Sequence, residues 1–154
     1  MTKKSPYKER INTFSCGTLT YRHPTDVWED TEILLVKQFE HKDNWGIPKG
    51  HTHKDESFET CAIRETREEA GVDVIIERKL ITVNAANKNE NKTVVTFLAK
   101  QACSRAPTHI HPESEVADAR WFKINELPRI ILYQEAIIFD GLKTVRNNFE
   151  NNNE

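Results

Sequence analysis

Apolar and polar positions divide the chain into short alternating runs and two longer stretches of helical period. Residues 12–22, Asn-Thr-Phe-Ser-Cys-Gly-Thr-Leu-Thr-Tyr-Arg, read as a strand with a small-residue patch at Ser15, Cys16 and Gly17. A glycine inside a strand marks a bulge, or close approach of a ligand or another backbone. Residues 32–38, Glu-Ile-Leu-Leu-Val-Lys-Gln, are apolar enough for a strand buried on both faces. Residues 72–84 read as strand with a break at Glu77 to Lys79, 85–91 as a turn and 92–102 as a second strand, so that 80–100 forms a hairpin. A short strand ends at Trp121-Phe122. Ile131, Leu132, Ala136, Ile137, Phe139, Leu142 and Val145 then recur at near-helical spacing, which predicts a helix over 130–147 packed on the sheet. Residues 1–10 are a polar, basic flexible arm, and 148–154 an Asn-rich disordered tail. The loop at 103–114, with Pro107, His109, His111 and Pro112, reads as solvated rather than as a second metal site. Strands flanking a helix, with another helix at the end, predict one α/β domain over 11–147, a sandwich with a mixed sheet.

The clearest helix spans about 57–70. Asp55 offers an N-cap, Glu56 and Glu59 place negative charge in the first turn, and Gly71 can close the helix in the left-handed conformation. At roughly 100° per residue, with Glu65 at zero, Phe58 falls near 20°, Cys61 near 320°, Ala62 near 60°, Glu68 near 300° and Glu69 near 40°. The carboxylates thus continue the inward apolar stripe, where a solvated charge run would lie opposite it. Converging carboxylates repel unless a cation neutralises them, and hard oxygen ligands select Mg²⁺, Mn²⁺ or Ca²⁺ over zinc.

Composition narrows the classes further. A chain of 154 residues suits one domain, and a net charge of −2 with 30% charged residues gives no global basic field for nucleic acid. No apolar run reaches the ~18 residues of a membrane span, and the Lys-rich start lacks the apolar region of a signal peptide. Cys16, Cys61 and Cys103 are odd in number and lack metal-pair spacing, so they read as reduced thiols of a cytoplasmic protein.

Ahead of the helix runs Trp45-Gly-Ile-Pro-Lys-Gly-His-Thr-His. Lys49 beside Gly50, just before an acidic cluster, suits a phosphate contact. His51 and His53 alternate and can face a ligand, with His51 the better candidate; neither has zinc-site spacing to a Cys.

Gly50, Glu56, Arg64, Glu65, Glu68, Glu69, Gly71 and Val72 fall in the register of the Nudix box, which the chain closely resembles. The one departure is Thr66, where an aliphatic residue is usual. The resemblance implies an α/β/α sandwich in which the box forms a loop-helix-loop, and divalent-metal-dependent hydrolysis of a nucleoside diphosphate linked to another group. It implies Glu68 and Glu69 as metal ligands, Glu65 as ligand or general base, the Gly50 carbonyl as a further ligand, and Arg64 as a structural partner of an acid such as Glu56. An additional ligand comes from outside the box, with Glu115 the best candidate and Glu113 its competitor. Mg²⁺ is the expected cofactor, with Mn²⁺ as the variant.

Trp45 to His51, Cys16-Gly17, Ile63 to Gly71, Lys92 to Val95 and Arg120-Trp121 are similar to the asymmetric diadenosine tetraphosphate hydrolases, over about residues 13–127. Such enzymes release ATP and AMP. RNA 5′-pyrophosphohydrolases and diphosphoinositol phosphate hydrolases share the Pro-Lys-Gly element, so an RNA 5′ end or another nucleoside-diphosphate compound is the alternative substrate. A nucleotide-sensing module without catalysis is the non-enzyme alternative. Lys49, His51, Lys92 and Trp45 are the expected substrate contacts. Relatives often stack adenine on a Tyr before the last hairpin strand; here 83–91 has no aromatic residue, leaving Phe97, Trp45 or Tyr133 as substitutes.

Overall fold

A computed structural model describes residues 9–40, 43–102 and 115–152. The predicted arm up to residue 8, Cys103, His109, His111 and Glu113 lie outside that set.

The sheet is mixed and built around β1 (Ile11–Arg22). From Ile11 to Tyr21 β1 runs parallel to β7 (Glu90–Gln101). On its other side it is shared between two antiparallel partners. Tyr21 and Arg22 pair with Ile33 and Glu32 of β2 (Glu32–Gln38), whereas Ser15, Cys16 and Gly17 pair with β4 (Lys49–His51). β2 meanwhile pairs with β3 (Trp45–Gly46) and, across its far side, with β8 (Val116–Lys123). β1 and β2 therefore part, and the Trp45–His51 segment fills the space between them. β5 (Val74–Lys79) and β6 (Val83–Asn84) both pair antiparallel with β7.

Gly17 answers the question its position raised. A Cβ there would collide with the Pro48 carbonyl and Lys49, and Thr18 N–H donates to Pro48 O at 3.2 Å. The close approach is backbone to backbone, β1 against β4.

Helix α1 (Phe58–Ala70) covers one face and α2 (Glu135–Asn152), after a short 3₁₀ turn at Leu132–Gln134, the other. Alternation along β2 serves both layers: Ile33 and Leu35 join Leu19, Leu98, Ile137 and Val145 on the α2 side, while Leu34 and Val36 join Ala70, Val74 and Ala99 on the α1 side. The two-faced burial expected of 32–38 and the α/β/α layering are both present.

Several expectations need correction. The helix is capped by Ser57, whose Oγ accepts from Thr60 N–H at 3.1 Å, and not by Asp55. Asp55 instead takes a positive φ of 62°, a conformation that a short polar side chain tolerates. The break expected at Glu77 to Lys79 is a register shift between Ile76 and Arg78, and the strand itself ends ahead of residues 80–82, where Leu80 turns into the core. Helix α2 begins at Glu135 and runs on to Asn152, so the polar tail continues the helix instead of ending at 147. Gly71 behaves as expected, with φ 66° and its N–H bonded to Arg67 O at 2.9 Å.

Candidate active site

The inward face of α1 is rotated from its expected position. Cys61, Ala62, Thr66, Glu69 and Ala70 are its buried residues, which centres the face roughly 60° from Glu65. Glu69 lies near that centre, Glu65 at its margin and Glu68 on the rim. Phe58, expected inside, is half-exposed and stacks on Phe14 with ring centroids 5.5 Å apart. The carboxylates are therefore graded in burial along one edge of the helix.

Arg64 ties this edge to the preceding loop. Its Nε and Nη2 donate to the two oxygens of Glu56 at 2.7 and 2.9 Å. Nη1 donates to Glu65 at 2.8 Å and Glu68 at 3.1 Å, and Nη2 also reaches the His51 carbonyl at 3.0 Å. Arg64 holds the carboxyl of Glu56 down to about 2, and its own guanidinium is raised by that pairing. The expected Arg64–Glu56 pair is thus a bidentate ion pair that fixes the loop to the helix.

Glu65 lies directly over Gly50, where any Cβ would overlap its carboxylate. Burial raises its pKa, and Arg64 partly offsets that. Glu69 is buried deeper. Burial and the charge of Glu65 push it up to about 8 against the pull of Lys49, whose backbone N–H donates to it. Its Oε2 finds no hydrogen-bond partner among the described residues. Lys49 offsets only part of the cost of a charged carboxylate in this position.

These acids line a cleft of about 830 Å³. Gly50, Lys49, His51, His53, Lys92, Tyr133 and Glu115 line it too. Lys49 and Lys92 meet side chain to side chain, and burial together with Lys49 lowers the pKa of Lys92. Burial raises that of Tyr133, beside Lys92. The structure thus brings together Lys49, Gly50, His51, Glu65, Glu68, Glu69, Lys92 and Glu115.

Trp45 is the exception among the expected substrate contacts. It packs in the core, edge-on to Phe122 at 4.8 Å, and does not line the cleft. Its indole is drawn in because β3 is tied to the chain entering α2, through Trp45 N–H to Arg129 O at 2.8 Å and Ile131 N–H to Trp45 O at 3.0 Å. Phe97 is also core, under α1, so Tyr133 alone of the three proposed base-stacking aromatics faces the cleft.

Two participants were not among the expected site residues. Buried Gln134 accepts from Ile47 N–H at 2.7 Å and donates to Tyr133 Oη at 3.1 Å, clamping the Pro-Lys-Gly loop to the start of α2. Ser15 lines the cleft. A search for polar residues on an apolar strand would have flagged Ser15; nothing local marks Gln134.

The NUDIX domain pattern matches residues 27–139, well over half of the chain. The protein belongs to the Nudix family. Membership makes it a pyrophosphohydrolase, a class that generally uses divalent metal ions. Among curated Nudix relatives it is 27% identical to the asymmetrical bis(5′-nucleosyl)-tetraphosphatase of Mus musculus over 128 residues, 79% of this chain and 86% of that one. Nudix folds of known structure superpose well. A MutT Nudix hydrolase from Burkholderia pseudomallei matches with TM-score 0.69 at 23% identity, covering 85% of this chain and 98% of the other. A C. elegans Ap4A hydrolase binary complex matches with TM-score 0.66 at 24% identity, covering 91% and 98%. Among the described residues no helix is long and apolar enough to cross a membrane.

Proposed function

We propose that the protein hydrolyses a pyrophosphate bond in a dinucleoside polyphosphate, with diadenosine tetraphosphate cleaved to ATP and AMP. The observation that carries this reading is the lining of the cleft, where three glutamates of α1 share one cavity with Lys49, Lys92 and Tyr133. Such a cleft suits a long phosphate chain with a nucleoside at its end. The tetraphosphatase of the mouse supports the same substrate class.

The acids suit Mg²⁺ or Mn²⁺. Glu65, Glu68 and Glu69, the Gly50 carbonyl and Glu115 offer hard oxygen donors, and the unpartnered Glu69 Oε2 is short of a cation. No group of three such side chains is already gathered into a ligand shell among the described residues. Arg64 holds one carboxylate oxygen each of Glu65 and Glu68, which leaves the other oxygen of each for an ion. A bound divalent ion supplies charge withdrawal from the phosphates and activation of water.

The chain's own residues do the rest. Lys49 and Lys92 neutralise phosphate oxygens that would otherwise repel the attacking water. Glu65, whose pKa burial raises, is suited to accept a proton at its carboxylate as base, or to serve as ligand. Arg64 positions Glu65 and, through Glu56 and the His51 carbonyl, the loop carrying Lys49. Tyr133 offers its ring to the base and His51 lines the phosphate path.

Incubation with diadenosine tetraphosphate and Mg²⁺, followed by chromatography, is expected to give ATP and AMP, with Glu69→Gln inactive. Two ADP molecules, or binding without turnover, would reject the reading. Preferential cleavage of 5′-triphosphorylated RNA in a competition assay would replace the substrate.

A further inference from the structure

Ser15 is fully buried, yet its hydroxyl has no hydrogen-bond partner among the described residues and lines the cleft. Its surroundings follow from strand register. Alternation puts Thr13, Ser15, Gly17 and Leu19 on one face of β1, and Leu19 belongs to the core beneath α2. Cys16, on the opposite face, packs against Cys61 of α1 and pairs with Gly50, over which Glu65 lies. Ser15 therefore sits on the α2 face, away from the α1 carboxylates.

Its neighbours on that face are cationic. Thr13 pairs with Lys92 of β7 and Gly17 with Lys49 of β4, so the two lysines flank Ser15 on opposite diagonals. Their side chains meet each other. Two ammonium groups in contact repel, and a buried hydroxyl without a partner costs folding free energy. One anionic oxygen placed among the three would relieve both defects.

We infer that the Ser15 hydroxyl is a substrate-binding group, which donates a hydrogen bond to a non-bridging oxygen of the phosphate held between Lys49 and Lys92. That phosphate lies beyond the one beside the carboxylates, so Ser15 favours substrates with long phosphate chains. The inference rests on the polyphosphate reading of the cleft.

The test compares wild type with Ser15→Ala, which deletes the hydroxyl, and Ser15→Cys, which keeps its volume but donates weakly. Three quantities are read: the calorimetric Kd for adenosine 5′-(α,β-methylene)triphosphate with Mg²⁺, whose α–β bridge cannot be hydrolysed, KM and kcat for diadenosine tetraphosphate, and Tm. Both variants are expected to raise Kd and KM about tenfold, the worth of one hydrogen bond to a charged acceptor. The loss should fall on KM rather than kcat, with Tm unchanged or higher. Unaltered Kd and KM in Ser15→Ala would overturn the inference, as would recovery by Ser15→Cys or a loss that tracks a fall in Tm, since either means packing alone. Weakened analogue binding in a protein that cleaves no dinucleotide would sink the proposed substrate and leave Ser15's role standing. Cleavage with unaltered variants would do the reverse.

Discussion

Single side chains carry most of the chemistry here, and their protonation follows from burial. Glu69 combines a buried carboxylate, a like charge at Glu65 and an oxygen without a partner. Glu69→Gln is expected to lower kcat on the order of a hundredfold or more, read by product formation at saturating substrate. Arg64 is the opposite case, fully engaged by Glu56, Glu65, Glu68 and His51. Arg64→Ala should cost about 2 kcal/mol in urea unfolding, because it strands Glu56 and frees the loop. Thr66, the one departure from the box, has a reason at this scale as well. Its hydroxyl bonds Thr18 and the Ala62 carbonyl, each at 2.8 Å, and Thr18 bonds Thr20, so a buried hydroxyl chain replaces aliphatic contact between α1 and β1.

Among the elements, α1 and its preceding loop are the pieces that must keep register. The true cap is two residues later than composition suggests, because Asp55 is used for a left-handed turn that carries Glu56 to Arg64. Ser57→Ala is expected to cost about 1 kcal/mol in equilibrium unfolding. Asp55→Gly should cost nothing and is expected to be neutral or stabilising, since glycine adopts the positive φ freely. If the two results were exchanged, the cap assignment would be wrong. The loop's far anchor is Gln134, at the mouth of α2. That a helix follows residue 130 was legible from periodicity, though not its bounds, and Gln134 was not legible, since its partner Ile47 lies 87 residues away.

For the whole molecule, the acid site sets a dependence on pH and metal. Glu69 has its folded pKa raised from 4.5 to about 8, and Glu65 moves in the same direction. Between those values the folded protein holds more protons than the unfolded chain, so stability falls as pH rises. Metal-free protein should therefore show a Tm that declines from pH 5 to pH 8, and Glu69→Gln should flatten the decline. Mg²⁺ or Mn²⁺ should raise Tm more at pH 8 than at pH 5, because the ion binds the ionised acids of the folded state. Glu56 works with the opposite sign. Its pKa is lowered to about 2, so the stability of its Arg64 pair is present above about 4.5 and is lost as pH falls toward 2. A differential scanning titration with and without metal measures both limbs.

What the sequence by itself determined is local or tied to fixed spacing. The strands at 12–22 and 32–38, the helix ending at Gly71 and the register from Gly50 to Val72 all follow from side-chain period, backbone conformation and the positions of the box acids. Only the tertiary structure decided how deep each acid sits, since a helix's rotation is set by what it packs against. It turned Phe58 out onto Phe14 and Glu69 in beside Lys49. It also decided that Trp45 belongs to the core and Tyr133 to the cleft, and that Ser15 lies between two lysines. Those placements depend on pairings between distant strands, which no local pattern encodes.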